Sequence, residues 1–282
     1  MAAPRTKEPS RIGLIAGEGR FPFMVLEQAR ERSIEVVTVA IEGEADRSIE
    51  SVSKNPVEWI TIGQMARCVR VFRDAGISEA VMAGRVRHVR AFQLLSPDRL
   101  MLKVLRRLPS RSTDAMLKTI ASVLEEEGVT LLDSTALLVP FLADEGAMTK
   151  RRPRKDELVD MEFGLSKARG LAALDIGQTV VVKRKSVVVA EAMEGSDAAI
   201  RRAAEITEGP FAVVKVARPD QDFRFDVPVI GPTTIENMAS VGATVVGVEA
   251  GRVLLVERDT VLERANREGI AVYGLRTGED AQ

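Results

Sequence analysis

The run Arg11-Ile-Gly-Leu-Ile-Ala16-Gly17-Glu-Gly19-Arg-Phe-Pro22 decides how the first half of this chain is read. A short apolar stretch ends in two glycines, and residues 21–32 then place Val25, Leu26 and Ala29 at helical spacing. Pro22 suits the first turn of that helix, where a missing N–H costs no hydrogen bond. Strand, glycine turn and helix in this order open a β-α unit. Working outward, the β-branched segment 35–41 reads as a second strand and 58–62 as a third. Residues 64–75 repeat the helix pattern through Met65, Val69 and Phe72 and stop at Gly76, and 77–83 form a fourth strand closed by Gly84. Strands alternating with helices of this length predict an α/β fold with a parallel, Rossmann-like sheet. Helical segments at 96–108 and 113–127 follow.

The second half has a different character. Residues 180–182 and 187–190 flank the charged tip Lys183-Arg-Lys185 as a hairpin. Helices are expected over 196–205, 232–241 and 260–267, with strands at 211–216, 243–248 and 253–256. The sharpest break in composition is Lys150-Arg-Arg-Pro-Arg-Lys155, which reads either as an exposed linker or as a basic patch for phosphate or an anionic surface. The expectation is therefore a Rossmann-like domain over 1–150 and a mixed α/β domain over 151–282. A length of 282 residues accommodates both, since single cores stop growing near ~250 residues.

Composition removes several classes of function. Forty basic residues nearly cancel 41 acidic ones, so the basic excess of a nucleic-acid binder is missing, and one Trp and one Tyr make no base-stacking platform. The one cysteine, Cys68, leaves no intrachain disulfide or cysteine zinc site, and its helical context reads as core. No apolar run reaches the ~18 residues of a membrane span, and the N-terminus lacks the apolar region of a secretory signal, so the cytoplasm is the expected compartment. His88, the single histidine, lies in Arg85-Val-Arg-His-Val-Arg90, which reads as a solvated loop. Any histidine-based hydrolase would have to use it. Carboxylates with a hard metal ion are the simplest remaining hydrolytic apparatus.

Four regions offer such chemistry. Gly17 and Gly19 sit at a strand-to-helix turn where backbone amides can approach a phosphate, although Pro22 stands where a dinucleotide fingerprint wants a third small residue; a merely tight turn is the other reading. Gly84 and Arg85 end the fourth strand, where ligands of open parallel sheets gather, and Arg85 is either a phosphate ligand or a solvent-facing arginine. In 221–230, read as a strand, Phe223, Phe225, Val227 and Val229 share one face while Asp222, Arg224 and Asp226 share the other. Carboxylates so placed suit Mg²⁺ or Mn²⁺; an exposed charge ladder is the alternative. Glu191-Ala-Met-Glu194-Gly195-Ser196-Asp197 adds an acidic turn that either caps a helix or joins a site with Asp175-Ile-Gly-Gln178 and Lys215. Gly231-Pro-Thr233-Thr234 opens another helix, and Asp114 reads locally as an ordinary first-turn acid.

Taken together, Leu174-Asp-Ile-Gly-Gln-Thr-Val-Val181, Glu191-Ala-Met-Glu-Gly-Ser-Asp197 and Lys215-Val-Ala-Arg-Pro-Asp-Gln-Asp-Phe-Arg-Phe-Asp226-Val-Pro-Val-Ile-Gly231 resemble the LpxI family of UDP-2,3-diacylglucosamine pyrophosphatases. Ile15-Ala-Gly-Glu-Gly-Arg-Phe-Pro22 and Ala83-Gly-Arg-Val-Arg87 match its amino-terminal motifs more loosely, and the resemblance runs from Arg11 to about Gly274. It departs at Glu18, where the family has a middle glycine, and in the arginine-rich loop around His88. The resemblance implies a Mg²⁺-dependent hydrolase giving UMP and 2,3-diacylglucosamine 1-phosphate in lipid A synthesis, with the substrate between two domains. It makes Asp226 the essential catalytic acid. On this expectation Asp226 orients metal or water, assisted by Asp222 or by Asp197 and Glu194, which with Asp226 are the candidate metal ligands. Lys215 and Arg224 would offset phosphate charge, while Gly17, Gly19, Gly84 and Arg85 hold the uridine diphosphate. Asp114, Gln178, Gly195, Ser196, Thr233 and Thr234 complete the expected substrate contacts. The expected partner is the UDP-linked lipid and not nucleic acid, with peripheral contact to the inner membrane and a homodimer left open. Two rivals stand beside this reading: a nicotinamide-dependent oxidoreductase using Gly17, Gly19 and Glu42, and a non-catalytic regulator that binds a UDP-sugar or lipid.

Overall fold

A computed structural model describes residues 9–86, 97–110 and 112–276, with the side chains of Thr113 and Asp114 outside the description. The opening stretch forms β1 (Arg11–Ala16) and α1 (Phe21–Glu31), with Pro22 at the helix start as its chemistry predicts. Then come β2 (Glu35–Ile41), the short α2 (Ile49–Val52), β3 (Glu58–Ile60), α3 (Met65–Asp74) and β4 (Glu79–Ala83). Helices α4 (Arg99–Arg107) and α5 (Thr113–Glu126) precede β5 (Thr130–Leu131). Asp98 caps α4 by accepting the Leu100 and Met101 amides, both at 3.0 Å, and Ser112 caps α5 by accepting the Ala115 amide at 3.1 Å.

These strands pair in the order β3-β2-β1-β4-β5, all parallel. The sheet is thus doubly wound, and its order reverses between β1 and β4. Its core joins Val39, Val69, Phe72, Ala80, Val104 and Leu124. Cys68 belongs to this core, where burial first and the Asp98 charge second push its thiol up to about 12, so it is an inert packing residue.

The rest of the chain supplies β6 (Gly146–Ala147), α6 (Lys155–Ala173), β7 (Thr179–Lys183), β8 (Ser186–Ala190), α7 (Ser196–Ile206) and β9 (Ala212–Lys215). It continues with β10 (Val229–Ile230), α8 (Pro232–Ser240), β11 (Val245–Glu249), β12 (Leu254–Leu255), α9 (Arg258–Arg267) and β13 (Ala271–Leu275). The mixed sheet runs β6-β13-β11-β9-β7-β8, parallel through β13, β11 and β9 and antiparallel at both sides; β10 and β12 form a separate parallel pair. Because successive strand residues face opposite ways, Val180, Val182, Val214 and Val245 pack against Met161, Ala168 and Ala172 of α6, while Val181, Val213 and Val246 pack against Ile200, Met238 and Val261. Helices therefore cover both faces.

Contacts divide the chain into Met1–Leu138 with Phe223–Phe225, and Val139–Asp222 with Asp226–Gln282. Residues 150–155 lie within the second unit, with Lys150, Arg152, Arg154 and Lys155 exposed as their charge predicts. Arg151 donates to the buried Glu157 carboxylate at 2.6 Å and to the Thr244 carbonyl at 3.1 Å, and Arg154 N donates to Glu157 at 2.8 Å, closing the start of α6. The basic residues there neutralise a buried acid. Among the described residues no helix is long and apolar enough to cross a membrane.

Candidate functional site

Several polar side chains of the second unit collect where β7 begins and β9 ends. Thr179, where β7 begins, lies opposite Lys215, where β9 ends, and β8 finishes at the same end with Ala190 opposite Val180. The chain then turns through Glu191 and Glu194 and enters α7 at Ser196, after Gly195. Lys215 Nζ donates to Ser196 Oγ at 2.6 Å. Ser196 Oγ donates to Glu191 Oε1 at 2.9 Å and lies 2.9 Å from Thr179 Oγ1, which is left to donate to it. Glu191 Oε2 accepts the Gln178 amide at 3.3 Å. The approach of Gln178 to Glu191 requires the glycine at 177, because a Cβ there would collide with the Glu191 carbonyl. Burial pushes the Lys215 ammonium below the ordinary lysine range, while the charges of Glu191, Asp197 and Asp226 pull the other way.

A loop running on from β9 brings Asp226 to this cluster. Its carboxylate Oδ2 accepts from Gln221 Nε2 at 2.8 Å, from Gln178 Nε2 at 3.5 Å, and pairs with Arg218 at 3.5 Å. Arg218 also bonds the exposed Asp175 at 2.6 Å. The loop is anchored from beneath: Ala217 N donates at 2.8 Å to Glu249, a buried carboxylate paired with Arg169, and Arg252 donates to the Arg218 carbonyl at 2.7 Å. Gln178, Glu191, Lys215, Arg218, Asp226 and Pro228 are among the residues that line a cavity of about 370 Å³. Two cations, the Gln178 amide and the half-exposed Asp226 carboxylate thus line one cavity. Such a set can bind an anion and accept a proton from a water placed beside it.

The expected strand over 221–230 is not formed. Residues 223–225 make a turn, with Asp226 N donating to the Asp222 carbonyl at 3.2 Å, and only Val229–Ile230 is strand. Asp222, Arg224 and Asp226 consequently share no strand face. Arg224 stacks on Phe225, its guanidinium carbon 4.9 Å from the ring centroid, and its carbonyl accepts Ser134 Oγ at 2.9 Å. Neither Asp222 nor Arg224 lines the cavity. Glu194 faces Arg202 at 2.6 Å and the Ala192 amide at 3.0 Å and does not line it either. Thr233 and Thr234 stand in the first turn of α8, where Thr234 Oγ1 accepts Gly231 N at 3.5 Å, and they too are absent from the lining.

The amino-terminal candidates lie in the other unit, at the carboxyl ends of β1 and β4 where the strand order reverses. Gly17 N donates to the Ala83 carbonyl at 2.8 Å, and Glu18 and Arg85 exchange backbone hydrogen bonds at 2.8 and 2.9 Å. Gly84 has φ +91°, and a Cβ on it would sit 2.7 Å from the Glu18 carbonyl. Tight packing of the two turns thus gives Gly17 and Gly84 a structural reason, with Gly19 following in the same turn. The Arg85 guanidinium meets Glu18 at 3.2 Å, joining two of the positions that depart from the expected motif. Asp114 starts α5, but its side chain lies outside the described residues, as does His88.

Arg218 and Gln221 were not singled out from the sequence, and Glu191 was noted only as part of an acidic turn. Their signal was proximity to Lys215 and Asp226 within a matched motif, which marks a neighbourhood but not which side chains turn inward. The donor set fits Mg²⁺ in one respect: Asp197 Oδ1, a hard oxygen, is buried without a hydrogen-bond partner, although Asp197 does not line the cavity. Among the described residues no three acidic, imidazole or thiol side chains form a metal cage.

Comparison with known proteins matches most of the chain. The model of the LpxI N-terminal domain matches residues 11–140 and that of the LpxI C-terminal domain residues 144–273. The UDP-2,3-diacylglucosamine pyrophosphatase LpxI of Caulobacter vibrioides is 30% identical over 276 residues, covering 94% of this chain and 97% of that protein. Among solved structures, a UDP-glucose 4-epimerase from Bifidobacterium longum in complex with NAD+ and UDP overlaps 42% of this chain and 34% of its own, at 13% identity and a TM-score of 0.26. That overlap is too slight to bear on function.

Proposed function

This chain belongs to the LpxI family, and on that premise we propose that it hydrolyses the pyrophosphate of UDP-2,3-diacylglucosamine to UMP and 2,3-diacylglucosamine 1-phosphate, a step of lipid A biosynthesis. The observation that carries the reading is the cavity in which Asp226 stands at hydrogen-bonding or ion-pair distance from Gln178, Gln221 and Arg218, with Lys215 in the same lining. Pyrophosphate hydrolysis needs neutralised non-bridging oxygens, a positioned water and a stabilised leaving phosphate. Lys215 and Arg218 supply positive charge, and Gln178 donates to the Asp226 carboxylate. Asp226 accepts the proton of the attacking water as the new O–P bond forms; the bridging O–P bond breaks and its electron pair leaves on the departing phosphate.

Mg²⁺, when bound, would add charge neutralisation at the phosphate oxygens, and Asp226, which lines the cavity, would hold it, with Asp197, whose buried Oδ1 has no hydrogen-bond partner, as the second candidate. The relative's lipid substrate calls for apolar contact, and the exposed side chains of Leu174, Ile176 and Met193 support it. They sit on the loops that contribute Ile176 and Glu191 to the cavity lining. Contact with acyl chains at a cytoplasmic membrane surface is consistent with that exposure.

The test is UMP release from UDP-2,3-diacylglucosamine, with and without a chelator, by wild type and Asp226→Asn. The variant is expected to bind substrate and not turn it over. Undiminished release by Asp226→Asn would overturn the assignment, and binding without release by the wild type would favour a regulator.

A further inference from the structure

Gln221 occupies the centre of the site's hydrogen bonding without lining the cavity. Only 8% of it is exposed. Its Nε2 donates to both the carboxylate Oδ2 and the backbone carbonyl of Asp226, each at 2.8 Å. Its Oε1 accepts the Arg218 amide at 3.1 Å and the Gln178 side-chain amide at 3.2 Å. Both amide hydrogens and both carbonyl lone pairs are therefore used. The opposite orientation of the amide would set its oxygen against two acceptors and its NH₂ against two donors, so the network admits one assignment.

From this geometry we infer that Gln221 is a positioning residue for Asp226. Gripping one residue by side chain and backbone together fixes the carboxylate's rotamer as well as the path of the loop that carries it. The same amide ties that loop to Gln178 and to Arg218, so base, donor and cation are held in one register. The neutrality of the residue matters. A glutamate here would place a second negative charge against the Asp226 carboxylate and carbonyl, whereas its protonated form would again offer a donor. Asparagine, shorter by one methylene, would not span the same pair of acceptors. The inference rests on the pyrophosphatase reading for its assay, but its structural content is separate.

Gln221→Leu, Gln221→Asn and Gln221→Glu are compared with wild type for UMP release and for thermal unfolding. Misplacing a reacting group by about 1 Å costs roughly 100-fold, so kcat of the Leu and Asn variants is expected to fall about 10- to 100-fold, with KM changed less than about 3-fold. The Gln221→Glu deficit is expected to shrink as pH falls and the new carboxyl takes up a proton, while the Gln221→Leu deficit stays constant. Unchanged kcat in folded Leu and Asn variants would overturn the inference. So would a pH-independent Gln221→Glu deficit, or losses that follow unfolding instead of kcat. A wild type that releases no UMP would count against the pyrophosphatase reading; the inference is then judged by crystallography of Gln221→Leu, where an Asp226 side chain unmoved from its wild-type rotamer overturns it.

Discussion

Lys215 is the residue on which the electrostatics of the cavity turn. Its ammonium is drawn out of water under the charges of Glu191, Asp197 and Asp226 and grips Ser196, so removing it takes away a cation that offsets those acids, leaving Arg218 paired with Asp226. Lys215→Met keeps most of the volume and deletes the charge. It is expected to lower kcat/KM by about 100- to 1,000-fold, the cost typical of losing one preorganised donor to a developing negative charge. A loss below tenfold in UMP release would remove Lys215 from the reaction. Gly177→Ala probes packing at the same place: the added methyl strikes the Glu191 carbonyl, and overpacking of this kind costs about 1–3 kcal/mol. Denaturant titration should show that loss, together with weakened activity as Glu191 and Gln178 separate. At this scale the sequence was partly legible. Asp226, Lys215 and Gln178 stood in motifs long enough to match a family. Arg218 and Gln221 did not declare themselves, because nothing in spacing tells which side chains of an irregular loop turn inward.

At the scale of elements, the alternation of strand and helix in the first unit was readable because every strand there is parallel and needs a helical crossover. The run 221–230 misled for a definite reason. Period-two spacing of Phe223 and Phe225 is satisfied equally by a turn, and Phe225 packs against a core built from β2, α3 and α4 instead of facing a strand partner. Helix α6 was hidden by the opposite effect: its buried stripe includes the small residues Gly164, Ala168 and Ala172, and its start is written in arginines that look like a linker. Glu157 makes that start stable. Burial opposes its charge, but hydrogen bonds from Arg151, Thr244 and the Arg154 amide hold its carboxyl below the usual glutamate range. A carboxyl whose folded value lies below its unfolded value of 4.5 stabilises the fold above that value and loses the contribution as pH falls through the folded one. Glu157→Gln is therefore expected to cost about 1.5–3 kcal/mol at neutral pH, the range for hydrogen bonds to a charged group. The difference from wild type should narrow in acid below 4.5; a gap in midpoint that is constant across pH would contradict the linkage.

For the molecule as a whole, the two cores make separate claims. The clusters that sandwich the mixed sheet draw every member from Val139–Asp222 and Asp226–Gln282, and none from the parallel-sheet unit. The cavity lining likewise comes entirely from this second unit. A region that holds its own apolar core on both faces of a sheet has what independent folding requires. Residues 139–282 expressed alone should thus give a cooperative thermal transition and a circular dichroism spectrum with both helix and strand. The Lys215, Glu191 and Ser196 network should persist in that fragment, since its hydrogen bonds are internal. Cooperative melting that disappears on introducing Met161→Asp into the fragment would tie the transition to packing of α6 on the sheet. A fragment that melts without cooperativity, or shows no protected amides on β7 and β9 in hydrogen exchange, would mean that the second core does not stand alone.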